Sequence, residues 1–172
     1  MMKKLIVLYR SKTGFSQRYA EWIAEDLACD CRPIKGLKLD DLKDYKLVIY
    51  GAGVYAGMIT GAGKIKNWME KSPEKTWIVF ATGASPHEEG YEEMLFKTNF
   101  RKGESRPAHF YYFLSGINYE TMGFFSRVLM KVFSGMASKK KGATPSTKQT
   151  SVDLANRHYI ADLLSYVRLK AR

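Results

Sequence analysis

The chain has 172 residues, 45% of them hydrophobic and 26% charged, enough apolar material to close one full core and too much to remain disordered. Its net charge of +11, from 28 basic and 17 acidic residues, favours an anionic partner. No apolar run approaches the roughly 20 residues that span a bilayer, and the apolar part of MMKKLIVLYR is too short for a secretory leader, so a single cytoplasmic domain over 1–172 is expected.

Lys4–Arg10 is short, apolar and β-branched at Ile6 and Val7, which predicts a buried strand. Gly14–Ala28 follows as a helix, with Tyr19, Ala20, Ile23, Ala24 and Leu27 at spacings of three and four. Cys31–Lys35 is a weaker second strand, and Leu39–Tyr45 a short helical turn. Leu47–Ala52 is the third strand, after which glycines 51, 53, 57, 61 and 63 predict turns. Lys64–Lys71 is helical with Ile65, Trp68 and Met69 inward; Thr76–Thr82 is the fourth strand, His87–Thr98 a helix and His109–Leu114 the fifth strand. A last helix is expected over Val152–Leu169, with Leu154, Ala155, Ile160, Leu163, Leu164 and Val167 as its apolar positions. Strands alternating with helices imply an α/β fold, a doubly wound five-stranded parallel sheet in the order 2-1-3-4-5.

Gly116–Thr150 interrupts the alternation, too long for a plain connection. Phe124, Phe125, Val128, Leu129, Val132, Phe133 and Met136 recur at helical spacing. Six basic residues (Arg127, Lys131, Lys139, Lys140, Lys141, Lys148) stand against one acid, Glu120. Three readings stand: a helix packed on its own domain, a helix at an anionic membrane surface, and a binding element over the ligand end of the sheet. Nucleic acid is disfavoured, because the aromatics are not interleaved with the basic residues.

Cys29 and Cys31 are too close in sequence for an ordinary disulfide, and no further cysteine completes a zinc site. They are expected to be reduced bystanders. No metal ligand set and no obligatory acid or base stands out.

The loop SKTGFS, Ser11–Ser16, joins the first strand to the first helix. A helix N-terminus offers unpaired N–H groups and the positive end of a dipole, and Ser11, Thr13 and Ser16 add hydroxyls, which suits a phosphate. The same residues also make ordinary caps and turns. The loop has neither a GK[ST] ending nor the three glycines of a dinucleotide fingerprint.

VLYRSKTGFSQRYAEWI, Val7–Ile23, resembles the flavodoxin signature at Tyr9, Ser11, Gly14, Ala20 and Ile23, with Ser16 where that family usually has Thr. The resemblance implies flavin mononucleotide (FMN) as cofactor, with Ser11, Lys12, Thr13, Gly14, Phe15 and Ser16 around its phosphate. It also implies ring contacts from Ala52, Gly53, Val54, Tyr55, Ala56 and Gly57 after the third strand, and from Thr82, Gly83, Ala84 and Ser85 after the fourth. Ile117–Met136 is similar to the insertion of the flavodoxin-type, menaquinone-dependent protoporphyrinogen dehydrogenases. That likeness implies an FMN oxidoreductase with a quinone acceptor, acting on a small redox substrate, with a peripheral place at the inner face of the membrane. An electron-transfer flavodoxin without its own substrate, docking on a redox protein, and a flavin-free interaction domain are the alternatives.

Overall fold

The computed structural model describes residues 4–86, 88–118, 120 and 151–170. His87 and most of the proposed insertion, including Phe124–Met136 and Lys139–Lys141, lie outside the described residues.

Five strands form the parallel sheet: β1 (Leu5–Arg10), β2 (Asp30–Pro33), β3 (Leu47–Tyr55), β5 (Thr76–Gly83) and β6 (His109–Leu114), with the two-residue β4 (Met58–Ile59) folded back on β3. Their order is β2-β1-β3-β5-β6, the doubly wound arrangement expected. Leu5 pairs with Leu47, Leu47 with Thr76 and Ile78 with His109, so the strands run in one direction and end together. Helix α1 (Phe15–Leu27) and the last helix, α4 (Ala161–Lys170), cover one face. They bury Tyr19, Ile23, Leu163 and Val167 against Val7, Ile49, Ile78 and Phe113. Helices α2 (Ala62–Lys71) and α3 (Tyr91–Asn99) cover the other, over Ile6, Leu8, Val48, Tyr50 and Val79. Both faces of each central strand are therefore dry, which accounts for the unbroken apolar runs.

Three expectations need correction. The third strand does not stop at Ala52: β3 continues through Gly53 to Tyr55. The chain first turns at Ala56–Gly57, where both φ values are positive (48° and 79°), and β4 returns with Tyr55 opposite Met58. That is a two-residue hairpin of the kind whose twist matches its strands. The third helix starts at Tyr91 rather than at 87, because Gly90, at φ 81°, takes a left-handed conformation before it.

The last helix does not reach back to Val152. Val152–Asp153 forms strand β8, antiparallel to β7 (Gly116–Ile117), and the Leu154 N–H donates to the Ser115 carbonyl. A 3-10 turn over Arg157–Ile160, capped by the Asn156 side chain accepting from the His158 N–H, then leads into α4. Val152 and Leu154, counted as helix positions in the sequence, are exposed instead.

The β7–β8 ribbon is fastened to α1. The Tyr19 hydroxyl donates to the Leu114 carbonyl at 2.6 Å and accepts from the Asn156 N–H at 3.1 Å, while Arg18 pairs with Asp153 at 2.7 Å. These contacts place the start of the 116–150 segment beside the loop that opens α1. No helix among the described residues is long and apolar enough to cross a membrane.

Candidate functional site

The carboxyl ends of β1, β3, β5 and β6 surround a cavity of about 560 Å³, within the roughly 300–1,000 Å³ typical of small-molecule and cofactor sites. Lys12, Thr13, Phe15 and Ser16 line it from the first loop, Gly53 through Gly57 from the β3–β4 hairpin, and Thr82 through Ser85 from the end of β5. Three loops proposed from the sequence thus meet around one space.

Three residues named with them stand outside the lining. Ser11 and Gly14 shape the bend itself: the Gly14 N–H donates to Ser11 Oγ at 3.0 Å. Ala52 is sealed within the sheet at 0% exposure, so its side chain is closed to any ligand.

Gly14 takes φ 90° as it leads into α1, a conformation that L residues adopt at a cost. Among the described residues no side chain caps this helix, and its first turn holds no acidic residue. The amides and the positive end of the dipole are therefore left to attract an anion. Phe15 and Ser16 of that turn are buried and line the cavity, so the helix end addresses it directly.

Ser16 is not an open hydroxyl. Its Oγ lies 2.8 Å from Thr82 Oγ1, and both residues are buried at 3% exposure. Either oxygen can donate, and whichever does leaves the partner's proton for another acceptor. The bond ties the loop after β1 to the end of β5, 66 residues away. A Cβ on Gly53 would lie 3.9 Å from Ser16 Oγ and 4.0 Å from Thr82 Oγ1, so the hairpin completes this junction.

Tyr55 joins the cavity wall with Lys12 Nζ 5.8 Å from its ring centroid. Its hydroxyl is buried and has no hydrogen-bond partner among the described residues. A buried polar group left unpaired is costly, which makes this atom a fit for a ligand that brings the missing partner.

Several lining residues escaped the sequence reading: Arg10, Thr60, Pro86, Tyr91 and the stretch Ser115–Asn118. Thr60 is placed by the hairpin, its hydroxyl donating to the Gly53 carbonyl at 3.0 Å. Asn118 reaches Thr13, its side-chain amide donating to the carbonyl at 3.5 Å, a marginal bond that still marks how close the two segments lie. The one available signal was position: a residue that follows a parallel strand by one or two places belongs to the ligand end, which singles out Ser115 and Gly116.

The cysteines stay outside this site. Cys29 and Cys31 are half-buried, with thiols pushed up to about 12 and about 11 from an ordinary 9.0, mainly by burial. Both remain protonated at neutral pH and are poor nucleophiles. Alkylation of the folded protein by iodoacetamide should be slow at pH 8 and fast only after unfolding. The linkage has one sign. A thiol protonated in the fold but ionised when unfolded takes stability away as pH rises above 9 and through the folded values, so urea midpoints should fall between about pH 9 and 12. Replacing both cysteines with Ser should reduce that fall. Among the described residues no group of three His, Cys, Asp or Glu side chains is placed to hold a metal ion.

A doubly wound sheet with an uncapped helix end, two glycine-bearing loops and a cavity beyond the strand ends defines a mononucleotide-binding protein of the flavodoxin type. The flavodoxin domain family model matches residues 6–144, and the chain belongs to that family. FMN is the cofactor of the family's fold, and the residues present fit it: an anion-seeking loop at one end of the cavity and an unpaired tyrosine hydroxyl in its wall. No curated protein matches the chain.

Among solved structures, the chain is similar to the Trp repressor binding protein from Bacillus subtilis, with 10% identity, 83% of this chain and 99% of that one covered and a TM-score of 0.50. It is also similar to a flavoprotein in complex with FMN from Lactobacillus acidophilus (17% identity, 64% and 93% covered, TM-score 0.44). A flavodoxin from the domain Archaea gives 16% identity, 80% and 99% covered and a TM-score of 0.45.

Proposed function

We propose that the protein is an FMN-dependent oxidoreductase similar to the protoporphyrinogen dehydrogenases, passing electrons from a small-molecule donor to a quinone. The observation that carries the oxidoreductase reading is the cavity, whose lining joins an uncapped helix end to the loops after β3 and β5. The porphyrinogen and the quinone rest on the likeness of Ile117–Met136 to the insertion of those enzymes, and on the basic residues that favour an acidic substrate or an anionic membrane surface.

When bound, FMN supplies reversible two-electron chemistry. The chain does the rest. The amides of Phe15 and Ser16 and the hydroxyl of Thr13 would hold the FMN phosphate at the positive end of α1. The Ser16–Thr82 bond fixes that anchor relative to the loop after β5. The β3–β4 hairpin sets the depth of the cavity, because Thr60 is bonded to Gly53 through both its N–H and its hydroxyl, each at 3.0 Å. Tyr55 offers a buried hydroxyl with no partner among the described residues.

Purified protein should bind FMN with a shifted, sharpened visible spectrum, and should release it on acid precipitation. It should then oxidise protoporphyrinogen with menaquinone at least about tenfold faster than an equal concentration of free FMN, a gain of roughly 1.4 kcal/mol in the barrier. Tight FMN binding with no gain over free flavin, together with rapid electron exchange with a redox protein, would leave a substrate-free electron carrier. A colourless protein that takes up no FMN would leave an interaction domain.

A further inference from the structure

The wall of the cavity contains two cationic side chains, Arg10 and Lys12, and among its described residues no Asp or Glu. Both are exposed, and no carboxylate among the described residues pairs with either. Other cations near the sheet do have partners, such as Arg18 with Asp153 and Arg157 with Glu25 and Asp26.

Arg10 is also placed against its own electrostatic interest. Its Nη1 is 3.5 Å from where a Cβ on Gly61 would sit, and Gly61 opens α2, a helix with no side-chain cap and no acid in its first turn. A guanidinium beside the positive end of a helix is repelled by it. Lys12 stands by Tyr55 on the same wall. The positive charge is thus concentrated on the cavity, with no paired carboxylate among the described residues.

Building on the FMN reading, we propose that Arg10 and Lys12 form a cationic rim that binds the reduced cofactor more tightly than the oxidised one, and so raises its two-electron potential. The balance is simple. Two electrons and one proton convert the neutral oxidised ring into an anion, while the phosphate charge is common to both states. Cations within the span of such a cavity therefore favour the reduced state, and no lining carboxylate among the described residues opposes them. Because both side chains are exposed, salt weakens the effect, which falls off over roughly 8–10 Å at physiological ionic strength.

The test measures a potential rather than a turnover. FMN-loaded wild type, Arg10→Gln, Lys12→Gln and the double variant are equilibrated with dithionite and a reference dye, at low and at high salt. Dissociation constants for oxidised FMN are taken alongside. Each single substitution should lower the ratio of reduced to oxidised affinity about fivefold to tenfold, where tenfold is about 30 mV for a two-electron couple. The double variant should lose more than either, Arg10→Lys and Lys12→Arg should retain the wild-type potential, and 1 M salt should narrow the gap. Variants that bind FMN with the wild-type potential would overturn the rim while leaving the FMN reading intact. If oxidised and reduced affinities fall together, the residues merely hold the phosphate, and the proposal fails. If wild type binds no FMN, the reading beneath it fails as well.

Discussion

Replacing Ser11 with Asp should leave the protein folded and remove most of its affinity for FMN. Ser11 Oγ accepts the Gly14 N–H at 3.0 Å, and an Asp carboxylate can accept the same bond. Its charge would also lie close to the positive end of α1, which is worth about 0.3–1 kcal/mol at an exposed helix start. Stability should therefore hold or rise slightly. The phosphate meets the opposite situation. A like charge added to the same loop repels it, by an amount that solvent and salt reduce.

The expected result is a loss of about tenfold to a hundredfold in FMN affinity at low salt, partly recovered in high salt. Riboflavin, which lacks the phosphate, should bind the variant and the wild type alike. The pair of ligands makes the outcome decisive in isothermal titration calorimetry. Equal losses for both would mean a distorted loop, and no loss for either would mean that the phosphate is held elsewhere. A urea melt of the variant without ligand checks the folding half. A fall of more than about 1 kcal/mol would show that Ser11 is a structural cap and little else.

The sheet was legible because its signal is redundant. Each central strand is buried on both faces, so Ile6–Leu8, Leu47–Tyr50 and Ile78–Ala81 read as apolar runs whichever way the side chains point. The place of the first loop at the cavity was legible because it lies between a buried strand and an amphipathic helix, at the carboxyl end of the sheet. The loop after β5 followed from the same logic of strand ends.

What escaped detection depended on long-range partners. Gly53 resembles a turn residue in sequence, yet in the fold it continues β3 beside the Ser16–Thr82 junction, and Gly51 is kept small by Phe80. Val152 and Leu154 fall within the span expected for the last helix, but a segment more than 30 positions earlier captures them: Val152 sits opposite Ile117, and the Leu154 N–H goes to Ser115. Arg10 closes an apolar strand and carries no local mark of function. Only the crossing of β1 to the start of α2 places it on the cavity. Ser16 reads as a phosphate ligand from its hydroxyl, its helix start and the flavodoxin resemblance, while its pairing with Thr82 depends on the sheet order.

Gly51 therefore predicts the largest effect on stability. A Cβ at this position would fall 1.8 Å from Cζ of Phe80, its neighbour across the β3–β5 pairing. Phe80 cannot easily yield. It is fully buried, and its ring packs 5.3 Å from that of Phe113, which in turn lies 5.1 Å from Tyr19. Overpacking a core costs about 1–3 kcal/mol where side chains can shift, and expelling a Phe from its site costs about 3–5 kcal/mol.

Gly51→Ala should thus lose at least about 3 kcal/mol in urea unfolding, a large share of the stability of a domain this size. Gly53→Ala, two residues along the same strand, meets only contacts of 3.9–4.0 Å and should cost far less. Its methyl would lie at the cavity wall, so it should show itself in FMN affinity. The cause is separable from any intrinsic preference for glycine by pairing Gly51→Ala with Phe80→Leu. If the aromatic ring is the obstacle, the double variant should be less destabilised than the sum of the two by at least about 1 kcal/mol. Strict additivity would place the cost in the backbone of β3 instead, and would remove the close approach of Phe80 as the reason for a glycine in the central strand.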